Sequence, residues 1–222
     1  MRHNLTQAIE DYLKAIYEIT LSDERATTNQ IAERMGVTPA SVTGMLKRLA
    51  TNDPPLLEYR KHRGVELTPA GERVALEIIR HHRLLELFLH EQLGYSWDQV
   101  HAEADRLEHV ISEDLEERIA QTLGDPRIDP HGDPIPSREL HLPLDTLLPL
   151  GELRQGQRAI VQRVRNDDPS LLRYLDSIGL TPQVYLTVLD YSSFDGNLHL
   201  QIADRKLVLG PAVTQRVYVE VV

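Results

Sequence analysis

Residues Ala26–Ala50 read ATTNQIAERMGVTPASVTGMLKRLA, and this stretch predicts two short helices around a tight turn. Thr27 or Thr28 can cap the first helix, Gly36 suits the turn, and Thr38 can cap the second helix. Apolar side chains at helical spacing supply the inner faces: Ile31, Ala32, Met35, Val37, Val42, Met45, Leu46 and Leu49. The pattern is that of a helix–turn–helix.

The flanking sequence extends this motif on both sides. Residues 5–21 have apolar side chains near helical spacing and predict an amphipathic helix. Residues 56–71, LLEYRKHRGVELTPAG, predict two short strands around a basic turn at Lys61–Gly64, followed by a helix that Thr68 caps. A helix, a helix–turn–helix and a basic hairpin in this order predict a winged helix-turn-helix.

The second helix of the motif begins with small and hydroxylated residues, which suits DNA recognition. An α-helix fits the major groove, and its N-terminal residues contact base edges and phosphates. No Arg or Asn is placed there for bidentate base recognition, so we expect specificity to depend on DNA shape and apolar contacts. The alternative is a winged helix used for protein contacts, which the local positive charge disfavours. The predicted DNA-binding residues are Thr38, Pro39, Ala40, Ser41 and Thr43, with Lys47, Arg60, Lys61 and Arg63 as positioning cations.

The remainder of the chain divides into a helical part and a strand-rich part. One long helix is predicted from about Pro69 to Leu93 and another from about Asp98 to Leu123, and residues 124–149 read as a linker or extended surface segment. From Leu150, five strand-like runs and one short helix predict a small β-barrel. The predicted fold class is mainly α with small β parts. The predicted domains are 1–75, 76–142 and 143–222.

The 222-residue chain has a formal net charge of −10, which is unevenly distributed. Residues 76–142 contain six Lys or Arg against fifteen Asp or Glu, together with seven of the ten histidines. An acidic surface disfavours loose nucleic-acid binding but permits a local basic patch. The chain has no cysteine, no apolar run of membrane-spanning length and no signal-peptide pattern at its first residues, so we expect a cytoplasmic location without membrane contact.

Residues 100–110, VHAEADRLEHV, place two imidazoles and two carboxylates close together. On a continuous helix at roughly 100° per residue, with His101 at zero, Asp105 lies near 40°, Glu108 near −20° and His109 near 80°. Such a cluster is unfavourable without a cation, because like charges repel and burial desolvates them. The stretch therefore predicts part of a divalent-metal site.

The chain as a whole resembles the family of iron- and manganese-dependent transcriptional regulators typified by the diphtheria toxin repressor and the manganese transport regulator. The resemblance runs through EDYLKAIYEI (10–19), IAERMGVTPASVTGMLKRL (31–49) and HHRLLELFL (81–89), and is strongest at VHAEADRLEHVISEDLEERI (100–119). It implies a homodimer that binds double-stranded DNA at a palindromic operator when metal is bound, and that represses metal-uptake genes. It also implies a helical dimerisation domain and a C-terminal SH3-like domain of the iron-transport-associated type.

The resemblance further implies two metal sites. Some family members draw additional ligands from the C-terminal domain, for which Asp167 and Asp168 are the nearest candidates here. The alternative is that these two residues cap the helix that begins near Pro169. The implied ligands are Asp11, Asp105, Glu108 and His109 for one site, and His82, Glu86 and His101 for the other.

Two departures from the iron-responsive members favour Mn²⁺ over Fe²⁺ as the activating ion. Asp11 stands where those members carry Met, and Asp105 stands where they carry Cys. Oxygen ligands suit harder cations such as Mn²⁺. Lys14 stands where the manganese-responsive branch carries a ligating Glu. A protonated lysine cannot ligate a metal, so the binuclear arrangement of that branch is in question.

Two other functions are alternatives. In the first, the protein is a winged-helix regulator with an organic effector or none, and its acidic middle part is only a dimer scaffold. In the second, it is a metal-dependent hydrolase; no nucleophile–base pair accompanies the acidic cluster, so an enzyme is not expected. Of the other histidines, His81 is expected to be solvent-exposed, and no functional role is expected for His131 or His141.

Overall fold

The structure is a computed structural model that describes residues 5–21, 23, 25–60, 63–165 and 168–222. The chain separates into two units. The first consists of Met1–His82, Glu108–Ile111 and Pro136–His141, and the second of Arg83–Leu107, Ser112–Ile135 and Leu142–Val222. None of the helices within the described ranges is long and apolar enough to span a bilayer.

The first unit contains the winged helix-turn-helix. Thr27 and Thr38 cap their helices as predicted, since their side chains accept hydrogen bonds from the backbone N–H groups of Gln30 and Ser41. Gly36 ends the first of these helices with a φ of 64°, a left-handed conformation that glycine adopts without strain. The elements are α1 (Gln7–Thr20), α2 (Thr28–Met35), α3 (Pro39–Ala50), β1 (Leu57–Arg60), β2 (Gly64–Leu67) and the first part of α4 (Pro69–Leu93).

One apolar core holds these elements together. The inner faces of α1, α2 and α3 contribute fully buried side chains such as Leu13, Ile31 and Leu46, and the hairpin contributes Val65. Fully burying such a side chain stabilises the fold by about 1.5–3 kcal/mol relative to exposure. The predicted amphipathic patterns therefore define the core of this unit.

The second unit contains the rest of α4, two further helices and an antiparallel sheet of six strands in the order β3-β8-β4-β5-β6-β7. Trp97 is buried in the sheet's apolar core together with residues such as Leu150, Leu172 and Val217. The prediction of five strands omitted the two-residue β3. The elements are α5 (Val100–Leu107), α6 (Glu113–Thr122), β3 (Leu148–Pro149), β4 (Arg158–Val164), α7 (Pro169–Ile178), β5 (Tyr185–Tyr191), β6 (Leu198–Ile202), β7 (Arg205–Leu209), α8 (Pro211–Thr214) and β8 (Val217–Val221). The predicted fold class, mainly α with small β parts, is confirmed.

The predicted long helix over 98–123 is wrong, because the chain leaves the helix after Leu107 and begins a new one at Glu113. Ser112 is the N-cap of the new helix, and its side chain accepts a hydrogen bond from the N–H of Leu115. Acidic side chains in the first turn favour the same start, because they lie at the positive end of the helix dipole. Glu108 and His109 therefore lie in a turn rather than on the helical arc that was predicted.

The interpretation of residues 124–149 as a linker or surface segment is also partly wrong. The segment has little regular structure, but Asp129, His131 and Ile135 within it are buried. The side chain of Asp129 accepts hydrogen bonds from the backbone N–H groups of His131 and Asp133, which fixes a tight local turn. The backbone O of His131 accepts from the N–H of Val164 at the end of β4. This turn is thus packed within the second unit.

Candidate metal centres and nucleic-acid interface

The predicted DNA-binding face lies on the exposed side of the winged helix-turn-helix. Thr38, Pro39, Ala40 and Ser41 at the start of α3 are exposed, as is Lys47 later in the helix. The Thr43 hydroxyl is half-buried and donates to the carbonyl O of Pro39. On the hairpin, Arg60 and Arg63 are exposed, and Lys61 falls outside the described residues. A helix N-terminus of small side chains with cations beside it can approach phosphates closely.

In the first unit, the turn after α5 places Glu108 and His109 against α1. One possible ligand atom from each of Asp11, Glu108 and His109 lies within 4.8 Å of the other two. We call this group the Glu108 cluster. Nε2 of His109 is 2.9 Å from Oδ1 of Asp11 and 3.4 Å from Oε1 of Glu108. Nδ1 of His82 is 2.5 Å from Oε2 of Glu108. The structure thus brings four of the predicted ligands together.

The orientation of His109 is set by a residue that the sequence reading missed. Glu10 is buried, and its carboxylate accepts a hydrogen bond of 2.6 Å from Nδ1 of His109. With Nδ1 occupied in this way, Nε2 is the nitrogen that faces Asp11 and Glu108. A carboxylate behind a ligating imidazole fixes its tautomer and raises its basicity, as is common in metal sites.

Charge is concentrated in the Glu108 cluster. Burial raises the pKa of the Glu108 carboxyl, but the hydrogen bonds and positive charges of His82 and Lys14 outweigh it and hold this pKa below its usual value. Burial lowers the pKa of His109, but hydrogen bonds to Asp11 and Glu10 outweigh it and raise this pKa to about 9. In the structure, protons and the Lys14 ammonium supply the positive charge that these carboxylates require.

In the second unit, Glu86 on α4 is the centre of a separate group. One possible ligand atom from each of Glu86, Asp129 and His131 lies within 4.8 Å of the other two, and all three residues are buried. We call this group the Glu86 cluster. The predicted ligand His101 joins it, since its Nδ1 is 3.0 Å from Oε1 of Glu86. Asp105 is about half exposed, and its Oδ2 is 3.6 Å from Nε2 of His101.

Oδ2 of Asp129 and Nδ1 of His131 are buried and lack hydrogen-bond partners within the described part of the chain. Nε2 of His131 donates to the carbonyl O of Trp97 at 2.7 Å, which leaves Nδ1 facing Glu86 Oε2 at 3.7 Å. That distance corresponds to an ion pair rather than a hydrogen bond. The imidazole also stacks on the Trp97 ring, with centroids 5.8 Å apart. Buried polar atoms without hydrogen-bond partners are uncommon and call for an explanation.

The shifted pKa values of Asp129 and His131 call for the same explanation as the unpartnered atoms. Burial and the neighbouring carboxylates of Asp133 and Glu86 raise the pKa of Asp129 well above its usual value. Burial lowers the pKa of His131, but Glu86 and Asp129 outweigh it and raise this pKa to about 9. Both shifts express the cost of burying negative charge without a cation. A divalent cation would relieve that cost and satisfy both unpartnered atoms, so these residues fit one.

Sequence reasoning missed Asp129 and His131, although a signal was present. They lie in DPHGDP (129–134), where an acid and a histidine two residues apart precede a glycine. The proline and glycine content of the segment favoured a loop reading. Their burial depends on packing against β4 and Trp97, which no local pattern encodes.

Two other sequence expectations, for His81 and Asp168, have definite outcomes. His81 was expected to be exposed, but it is fully buried, and its Nδ1 donates to the backbone O of Glu108 at 3.0 Å. The Asp168 side chain caps α7 by accepting from the N–H groups of Ser170 and Leu171, which is the alternative that the sequence left open. Asp167 lies outside the described residues.

Comparison with known proteins agrees with this geometry. Residues 4–65 match the family "Iron dependent repressor, N-terminal DNA binding domain", and residues 68–137 match its "metal binding and dimerisation domain". The iron-dependent repressor IdeR of Mycobacterium leprae (strain TN) is 33% identical over 199 residues, which cover 84% of this chain and 85% of that protein. The chain belongs to the iron-dependent repressor family. Residues 148–221 match the FeoA domain, so the C-terminal barrel is of the SH3-like type that was expected.

Solved structures of similar proteins span nearly the whole chain. A manganese-dependent transcriptional repressor in complex with manganese has a TM-score of 0.89 and 38% identity, covering 96% of this chain and 100% of that one. The repressor ScaR with bound Zn²⁺ has a TM-score of 0.79 and 35% identity, covering 96% of this chain and 98% of that one. The family, and these relatives, are metal-dependent transcriptional repressors.

Proposed function

We propose that this protein is a Mn²⁺-activated, homodimeric transcriptional repressor of metal-uptake genes that binds a palindromic operator. The observation that carries the proposal is the presence of two carboxylate–imidazole clusters, each centred on a buried glutamate, Glu108 or Glu86, in a chain with a winged helix-turn-helix. Family membership supports repression, and the exposed start of α3 supports major-groove binding.

The two clusters would hold the metal. In the first unit, the ligands would be Asp11, Glu108 and His109. In the second unit, they would be Glu86, Asp129 and His131, with His101 beside them. When bound, the ion would neutralise the buried carboxylates and fill the space between their ligand atoms.

The position of Asp11 suggests how binding would act on DNA recognition. Asp11 is on α1 of the winged helix-turn-helix, whereas Glu108 and His109 belong to the turn after α5. Shared ligation would fix that turn against α1. In a homodimer, this would favour recognition helices about 34 Å apart, or a multiple of that distance, as successive major grooves on one face of the duplex require.

The donor types favour Mn²⁺ over Fe²⁺. The clusters offer carboxylate oxygens and imidazole nitrogens, and the chain has no cysteine that could supply a thiolate. Oxygen-rich sites suit harder cations, whereas thiolates select softer ones. A similar repressor whose structure was solved in complex with manganese supports the same choice.

The experiment is a DNA-binding measurement by fluorescence anisotropy, on an operator selected from random duplexes by the Mn²⁺-loaded protein. A near-complete switch from the inactive to the active state requires a differential metal affinity of about 10⁴, or about 5.5 kcal/mol. We expect operator affinity to fall by orders of magnitude when metal is removed with a chelator. Fe²⁺ under anaerobic conditions should activate less than Mn²⁺.

Matched variants separate this function from a regulator without a metal effector. Glu108→Ala and Asp129→Ala should abolish the Mn²⁺ response, whereas Asp114→Ala, an exposed acid on α6, should leave it intact. A protein that binds its operator equally well with chelator, or whose cluster variants respond like the wild type, would instead use an organic effector or none.

A further inference from the structure

The Glu108 cluster contains a cation that belongs to the protein. Lys14 is on α1, three residues after Asp11, and its side chain is 14% exposed. Its Nζ is 2.8 Å from Oε2 and 3.0 Å from Oε1 of Glu108. It is also 3.1 Å from Nδ1 of His82. The ammonium therefore contacts three nitrogen or oxygen atoms at once.

These contacts match what an ammonium can do. Lysine has three N–H donors and no acceptor. Here it donates to both carboxylate oxygens of Glu108, while Nδ1 of His82, which itself donates to Oε2 of Glu108, lies beside the ammonium. Carboxylate oxygens and an imidazole nitrogen are also the ligand atoms that a divalent cation would take. Lys14 thus occupies a cation position between Glu108 and His82.

The same carboxylate also faces the rest of the cluster, through the Oε1 atom that Lys14 contacts. There, Nε2 of His109 lies 3.4 Å from Oε1 of Glu108 and 2.9 Å from Oδ1 of Asp11. Glu108 is thus shared between the Lys14 ammonium and the Asp11–His109 pair. A second divalent ion between Glu108 and His82 would have to displace the ammonium, against the repulsion of like charges at short range.

We propose that Lys14 is a resident cation that fills a second metal position, so that the Glu108 cluster takes a single divalent ion on its Asp11–His109 side. This inference rests on the proposed function only in assuming that the cluster binds metal. Lys14 would then determine the stoichiometry of the sensor, and its single charge would limit how tightly the neighbouring divalent ion binds.

The test compares Lys14→Glu with Lys206→Glu, the same charge change at an exposed position on β7 in the second unit. Mn²⁺ stoichiometry is measured by equilibrium dialysis, and electron paramagnetic resonance reports whether two ions are close together. With one ion in each cluster, the wild type and Lys206→Glu should bind about two Mn²⁺ per chain, and Lys14→Glu about three, with a spin-coupled pair as expected for ions about 3.5–4 Å apart. A coupled pair in the wild type, or an unchanged stoichiometry in folded Lys14→Glu, overturns the proposal.

Lys14→Gln provides a second test that does not depend on building a new site. Without the ammonium, Mn²⁺ at the Glu108 cluster should bind about tenfold tighter or more, because a like charge has been removed from beside it. The metal-free variant should melt at a lower temperature than the wild type and recover that loss when Mn²⁺ is added. Unchanged affinity and melting temperature would contradict a resident cation.

These outcomes distinguish the inference from the proposed function. If the wild type binds no Mn²⁺ at the Glu108 cluster but Lys14→Glu does, the sensor role of this cluster fails while Lys14 stands as its resident cation. If neither protein binds Mn²⁺ there, both proposals fail. Glu108→Ala, which removes the shared ligand, identifies the ions that belong to this cluster.

Discussion

The turn that holds Asp129 and His131 offers a sharp test of the Glu86 cluster, through the substitution Gly132→Ala. Gly132 has a φ of 88°, and a Cβ built there would lie 1.8 Å from the carbonyl O of Gln162 on β4. No side chain fits such a contact, so the turn would have to move away from the strand. The move would also break the hydrogen bond of 2.9 Å from the N–H of Val164 to the O of His131.

Two costs decide where the turn lies. In the original position, a left-handed backbone costs a residue with a Cβ roughly 1–2 kcal/mol, and the overlap with the Gln162 carbonyl adds to that cost. In the displaced position, the turn instead loses a backbone hydrogen bond, which costs about 1 kcal/mol. If metal binding requires the original position, the overlap outweighs the regained bond, and the ion must supply at least about 1–2 kcal/mol. Mn²⁺ affinity at the Glu86 cluster should therefore fall at least about 5- to 30-fold, at 1.4 kcal/mol per factor of ten.

The assay can use the single tryptophan of the chain. Trp97 stacks on His131, so paramagnetic Mn²⁺ bound there should quench its fluorescence. The matched control is Gly156→Ala, at a φ of 85° with nothing within 4 Å of the added Cβ. It should show the backbone strain as lost stability and leave Mn²⁺ affinity unchanged. Wild-type affinity in Gly132→Ala would refute the idea that docking on β4 positions the ligands.

Three further predictions concern protons, helix capping and DNA. The pKa values of His109 and His131 are raised to about 9 in the folded protein, from about 6.5 in the unfolded chain. Protonation of these histidines therefore stabilises the fold. The stabilisation is fully present below about pH 6.5 and is lost as the pH rises through about 9. Metal-free protein should therefore melt at lower temperature as pH rises from about 7 to 9.5, and Mn²⁺ binding near pH 7.5 should release protons, measured by calorimetry in buffers of different ionisation enthalpy. Ser112→Ala should cost about 1 kcal/mol in chemical unfolding, because α6 loses its cap; no loss would argue against the helix break. Lys47→Ala should weaken operator binding and reduce the slope of the log binding constant against log salt concentration by about 1. Lys206→Ala should change neither the affinity nor the slope.

Sequence patterns predicted the elements whose stability is local. The caps at Thr27 and Thr38 depend on hydrogen bonds within one helical turn, and α4 was predicted at its observed bounds, Pro69–Leu93. The break at Ser112 was equally local. A serine followed by acids is a signature of a helix start, and here it outweighs the continuous 3.6-residue pattern of the same stretch.

The Glu86 cluster was only half predictable, because its other half depends on tertiary packing. Glu86 and His101 lie on helices, where spacing and residue type were informative. Asp129 and His131 are brought to them by a turn whose position depends on β4 and Trp97. Residue types alone cannot distinguish that buried turn from an exposed linker, since both are rich in Pro, Gly and Asp.

The two clusters share one arrangement of an imidazole, its hydrogen-bond acceptor and two carboxylates, but the acceptors differ. In each, one imidazole nitrogen is held by an acceptor of the protein, and the other faces two carboxylates. The acceptor is a carboxylate for His109, from Glu10, but a neutral backbone carbonyl for His131, from Trp97. A charged acceptor makes the imidazole more basic and a stronger ligand. The Glu108 cluster, however, also contains the Lys14 ammonium, which opposes an incoming cation, so ligand strength and resident charge act in opposite directions there. In the Glu86 cluster the acceptor is neutral, and we expect metal affinity to depend instead on how firmly its turn is docked on β4.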